Sequence, residues 1–150
     1  MATYSQPASA RTTLTTTALN SLASATYVSA GVIDVNAVDP VDVVIEVEAT
    51  PGTVSGNKQL IVFAQVSFDN TNFSTGPVSG TSTTEEPDLY CLGVLPLNTN
   101  ATLQRKAFSV SAALGFVPPY FKVICRNDSG AALAASGHAV NYTTYVGLVT

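Results

Sequence analysis

From Thr26 onward, apolar and polar residues alternate in short runs separated by clusters of Gly, Pro, Ser and Asn. Residues 41–49 (VDVVIEVEA) show the pattern most plainly, with Val41, Val43, Ile45 and Val47 on one face and Asp42, Glu46 and Glu48 on the other. Alternation with a period of two marks a strand with one dry and one wet face. TPGTVSGN at 50–57 is dense in turn formers, so the run 58–68 (KQLIVFAQVSF) is expected to return antiparallel, with Leu60, Val62, Ala64, Val66 and Phe68 inward. The same reasoning predicts strands at 26–33, 89–95, 104–112, 120–127 and 138–149. Their inward residues are expected to include Phe108, Val110 and Ala112, then Phe121, Val123 and Cys125, then Val140, Tyr142, Val146 and Leu148.

Seven or eight short strands at regular spacing, with no segment of helical periodicity, predict an all-β fold: a jelly roll or two-sheet antiparallel β-sandwich. The chain has no Trp, which counts against an immunoglobulin-type core. Residues 69–88 form a polar loop long enough to be functional or flexible. The first 25 residues are small, polar and Thr-rich, and the stiff χ1 of Thr disfavours a helix there. They are expected to form an extended N-terminal arm, residues 1–25, ahead of a single β domain, residues 26–150. Leu14, Leu19 and Leu22 are the arm's candidates for contact with a partner.

Composition changes this picture in one respect. Of 150 residues, 46% are hydrophobic, enough for a substantial core, but only 11% are charged, against about a quarter in an average domain. So little charge suits a chain whose working state is an assembly. The net charge of −4 argues against nucleic acid as a partner. Acidic residues crowd the first half, and Asp42, Glu46 and Glu48 are candidates for contact with a basic partner. No apolar run reaches membrane-spanning length, and the N-terminus lacks the charged-then-apolar pattern of a secretory signal.

The inventory of reactive groups predicts neither an enzyme nor a cofactor or metal site. The single histidine, His138, cannot build a multi-imidazole metal centre and is expected at a strand end near the surface. No serine sits in a Gly-x-Ser-x-Gly elbow, and no Gly-rich phosphate loop is present. Cys91 and Cys125 lie in apolar runs and read as small buried hydrophobes. Glu85, Glu86 and Asp88 form the one tight carboxylate cluster. They could hold Ca²⁺ or serve as acid and base in glycoside hydrolysis, or simply solvate a loop tip.

The stretches VFAQVSFDNTNFSTGP (62–77), LPLNTNATLQRKAFSV (95–110) and FKVICRNDSGAALAASG (121–137) carry a family resemblance. A strand runs into the turn Asp69–Phe73, and a later strand opens Phe-Lys-Val and leads through Asn127 to Ser129-Gly130-Ala131. Over roughly residues 26–145 the chain resembles the capsid decoration, or cement, proteins of short-tailed bacteriophages. The resemblance implies a jelly-roll subunit, a homodimer or other homo-oligomer, made in the host cytoplasm and seated on the outer surface of the virion. There it would bridge neighbouring major capsid proteins against the pressure of packed DNA. The alternative is a glycan-binding module of a head- or tail-fibre adhesin.

Overall fold

The computed structural model describes residues 4–149; residues 1–3 of the predicted arm and residue 150 of the predicted domain lie outside the described residues. The strands are β1 (Tyr4–Ser5), β2 (Thr12–Thr15), β3 (Tyr27–Asp34), β4 (Asp42–Ala49), β5 (Gln59–Ser67), β6 (Ser79–Gly80), β7 (Tyr90–Pro96), β8 (Gln104–Ser109), β9 (Tyr120–Asp128), β10 (Ala139–Tyr145) and β11 (Leu148–Val149). One short helix, α1 (Val110–Leu114), follows β8, and a 3₁₀ turn spans Glu86–Asp88.

Working outward from the middle of the chain, each long strand pairs antiparallel with its mirror image. β5 pairs with β7, β4 with β8, β3 with β9, β2 with β10, and β1 with β11. Rolling up this nested hairpin brings β10 beside β4 and β5 beside β9. The result is one sheet in the order β2-β10-β4-β8 and another in the order β6-β3-β9-β5-β7. These are the two interlocked Greek keys of a jelly roll.

The alternation read from the sequence fills the space between the sheets. Val43, Ile45 and Val47 of β4, Leu60 and Val62 of β5, and Phe121 and Val123 of β9 are fully buried there. The open sides are closed by two devices. Leu14 on edge strand β2 packs on the half-extended Gly31 of β3, where a Cβ would lie 3.1 Å from its Cδ1. On the other side Lys106 of β8 donates from Nζ to the carbonyl of Val94 in β7 at 2.9 Å, capping two exposed edges with one cation.

A second apolar layer lies on the outer face of the five-stranded sheet. Tyr27, Phe63, Ile124 and Leu89 are buried together there, with Ile61 packed beside them. The cover is the 68–89 connection, predicted to be a polar loop. Asp69 shapes its start: its carboxylate accepts from the backbone N–H of Thr71 and Asn72, from the Asn72 amide and from the Ser67 hydroxyl. Those bonds hold the Asp69 carboxyl well below the usual carboxylate range. The segment then folds back on β5, where Gln65 Nε2 donates to the Ser74 carbonyl at 2.6 Å.

Several expectations are corrected. Residues 12–22 of the expected arm are built into the sandwich: β2 pairs with β10, Leu19 is 1% exposed in the main core, and Leu14 and Leu22 pack against that core. Leu19 is spent entirely within the chain and Leu14 and Leu22 are half-buried, because the sandwich uses this segment as an edge strand and a plug. The strand predicted at 104–112 stops at Ser109, whose hydroxyl accepts from Ala112 N–H and starts α1; Gly115, in left-handed conformation, ends the helix. Ala112 is therefore exposed on a helix. Val41 and Phe68 lie just beyond strand ends and are 40% and 70% exposed. Leu148 is also exposed, because the chain leaves β10 at Tyr145 and starts the separate β1–β11 ribbon. Cys91 is exposed, since the register shift between Val62 and Phe63 turns it outward.

Candidate interaction surface

The two ends of the sandwich differ in chemistry. At one end lie the loops 16–26, 50–58, 97–103 and 129–138, and hydrogen bonds tie them together. Asn127, fully buried, donates from Nδ2 to the carbonyls of Leu22 and Ala131, both at 2.8 Å, and accepts from Ser129 N–H. His138 is 5% exposed, not a surface residue. Thr50 N–H donates to its Nδ1 at 3.2 Å, so the ring proton sits on Nε2 and is donated to the Ala134 carbonyl at 2.8 Å. The imidazole is a strut between two loops.

The opposite end is apolar. There β3, β5 and β10 stop and β4, β7 and β9 begin, so the segments 35–41, 68–78, 115–119 and 146–147 gather around it. Val38, Val41, Phe68, Tyr90, Phe116 and Leu148 are all exposed there, with Val32 just inside. Phe68 and Phe116 stack with centroids 6.4 Å apart and planes at 13°, and Tyr90 meets Phe116 edge-on at 6.2 Å. Val38 and Val41 are exposed on the 35–41 loop at the same end. Val35 N–H donates to the Pro119 carbonyl at 2.9 Å, and Val41 N–H to the Tyr145 carbonyl at 2.8 Å, which fixes the 35–41 loop against its neighbours. Stacked aromatic rings left exposed at one end of a domain make that end the candidate interaction surface.

The acidic candidates sit elsewhere and are already engaged. On the outer face of the four-stranded sheet Arg11 bridges Glu46 and Glu48, the second at 2.5 Å, and Arg105 lies 3.6 Å from Glu48. The two carboxylates bond to Arg11 and so raise its pKa. The acidic stripe of β4 is thus neutralised by cations from β8 and the start of the chain. Asp42 is used in local structure: its carboxylate accepts from Ser109 Oγ at 2.7 Å and Ser111 N–H at 2.9 Å, supporting the cap of α1.

The cluster Glu85–Glu86–Asp88 is likewise dispersed by the fold. Glu86 accepts from the Tyr27 hydroxyl and from Arg126 at 3.1 Å, and Asp88 accepts from Thr75 Oγ1 at 2.6 Å. Glu85 remains exposed. Among the described residues no three His, Cys, Asp or Glu side chains gather as metal ligands, and no helix is long and apolar enough to cross a membrane.

Sequence reasoning missed the aromatic trio because Phe68 and Phe116 lie in two different connections and Tyr90 opens β7, and only the strand register brings them together. The one local signal was the position of Phe68 and Phe116 beside turn-forming residues, where a core side chain is unusual. Comparison of the chain with protein-family models, with characterised proteins and with solved structures finds no match.

Proposed function

We propose that the chain is a structural virion protein that decorates an icosahedral phage capsid and stabilises it by bridging neighbouring major capsid proteins. The observation that carries this reading is the apolar end, where stacked aromatic rings stand in solvent on a chain with 11% charged residues. Such a surface is costly to leave wet and gains when a partner covers it. Its contacts are individually modest, and repetition over a symmetric lattice turns modest contacts into firm attachment. The resemblance of residues 62–77, 95–110 and 121–137 to phage cement proteins, and the jelly-roll strand order, point the same way. The reading involves no catalysis and no cofactor, and it places a homo-oligomer on the outer surface of the shell.

The test mixes the protein with undecorated shells of its phage and follows co-sedimentation, then measures the temperature at which DNA escapes. Decorated particles should hold their DNA to a higher temperature, and Phe68→Ser with Phe116→Ser should abolish attachment without unfolding the protein. Equal robustness with and without the protein would overturn the reading. The exposed rings of Phe68 and Phe116 also favour a second one, a glycan-binding adhesin module, since sugars stack on such faces. Specific signals on a glycan array that the double variant loses would move that reading to first place.

A further inference from the structure

The apolar end has a charge character that narrows what can cover it. Asp34, Asp39, Asp42 and Asp69 all lie there, while segments 34–42, 67–74, 110–120 and 145–149 contain no Lys or Arg. The nearest cation along β9, Lys122, is drawn over the ring of Phe73 at 3.9 Å. Asp42 and Asp69 are consumed by internal hydrogen bonds, and Asp34 accepts from Asn36 N–H at 3.1 Å. Asp39 is exposed and held in the left-handed region at φ 47°. Its backbone N–H is tied to the Val35 carbonyl at 3.1 Å, so the carboxylate is presented by a fixed turn.

Beside Asp39 a cleft of about 100 Å³ opens between the 35–40 loop and residues 117–119, with Val35, Pro40, Val117, Pro118 and Pro119 as its apolar lining. At roughly 30 Å³ per water this is room for one side chain. Prolines on both sides mean that little freedom is lost when the cleft is filled. A second copy of this chain is a poor occupant, because end-to-end packing would set aspartates against aspartates.

We infer that the cleft takes a lysine or arginine side chain from a different protein, its apolar stem against Pro40, Val117 and Pro118 and its charged head at Asp39. Apolar neighbours on the same segment then cover Phe68 and Phe116. This rests on the apolar end being the attachment surface, and it gives that surface a partner chemistry: an apolar segment bearing a cation.

The probe is a capped synthetic peptide alternating leucine with lysine, titrated into the full chain and followed by backbone amide NMR, with the leucine–glutamate peptide as its counterpart. The lysine peptide should shift the amides of residues 36–39 and 115–117, and the glutamate peptide should not. Asp39→Asn should weaken binding roughly two- to fivefold, the scale of an exposed ion pair, and Asn tolerates the left-handed backbone as Asp does. Added salt should weaken it too. Shifts confined to other surfaces, equal binding of both peptides, or an Asp39→Asn variant that binds unchanged would overturn the inference. Shell co-sedimentation is the separate arm. Shells that retain wild type and Asp39→Asn equally well leave the attachment reading standing and remove the cation. A peptide that fills the cleft of a protein no shell retains does the reverse.

Discussion

Tyr27 and Glu86, 59 residues apart in the chain, meet where the phenolic hydroxyl donates to the carboxylate. Arg126 completes the contact, with its guanidinium 3.1 Å from the same carboxylate oxygen and 5.5 Å from the centre of the Tyr27 ring. This triad pins the 68–89 connection onto the outer face of the five-stranded sheet. Tyr27→Phe keeps the ring and removes the bond. It should cost about 2 kcal/mol, the worth of a sheltered hydrogen bond to a charged group. Urea unfolding measures the loss, and amide exchange should rise more in residues 84–89 than in β4.

The same contact makes stability fall in alkali. Loss of solvent first, and the hydrogen bond to Glu86 second, push the Tyr27 phenol up to about 12. Because the folded value lies above the unfolded one, about 10, the neutral phenol favours the fold. That contribution is complete below pH about 10 and drains away as pH rises towards 12. The urea midpoint should therefore drop across this window, and drop less in Tyr27→Phe.

Leu19 is interior, so its truncation should behave as a core mutation. Leu19→Ala is expected to cost about 2–5 kcal/mol, the usual range for a buried leucine. Removing residues 1–22 should go further, since it also strips β2 from β10 and uncovers Gly31. Thermal unfolding of the shortened chain tests this; an unchanged midpoint would return the segment to the status of a loose arm.

The two cysteines should react at very different rates. Cys91 is exposed, whereas Cys125 is fully buried and burial pushes its thiol up to about 12. Alkylation of the native protein at neutral pH should label Cys91 and leave Cys125 unmodified until denaturant is added. Mass spectrometry of the labelled peptides reads this directly.

The motifs that carry the family resemblance turn out to be turn chemistry. Asp69 and Asn72 build the bend after β5, Asn127 and Ser129 lace the loop after β9, and Gly130, at φ 81°, packs where a Cβ would lie 2.3 Å from Ser55. These residues report how the connections of the sandwich are folded: Asp69 and Asn72 shape the turn beside Phe68 at the apolar end, and Asn127, Ser129 and Gly130 lace the opposite end. Each acts by shaping a turn, so the resemblance bears on architecture more directly than on the surface a partner would meet.

What the sequence determined by itself was the set of strands and most of the core. Period-two alternation is a local property, and each of Val43, Ile45, Val62, Phe121 and Val123 faces inward because its own strand dictates it. The second apolar layer was half legible: the near-continuous apolar run from Leu60 to Val66 is what a strand buried on both faces looks like. Tertiary structure alone decided the rest. Whether Leu19 docks inside or outside, whether Glu46 and Glu48 find Arg11, and whether Phe68, Tyr90 and Phe116 share one surface all depend on the rolled-up register, which sets residues tens of positions apart side by side. Spacing along one strand cannot encode those meetings, because they arise only when separate connections converge at the same end of the sandwich.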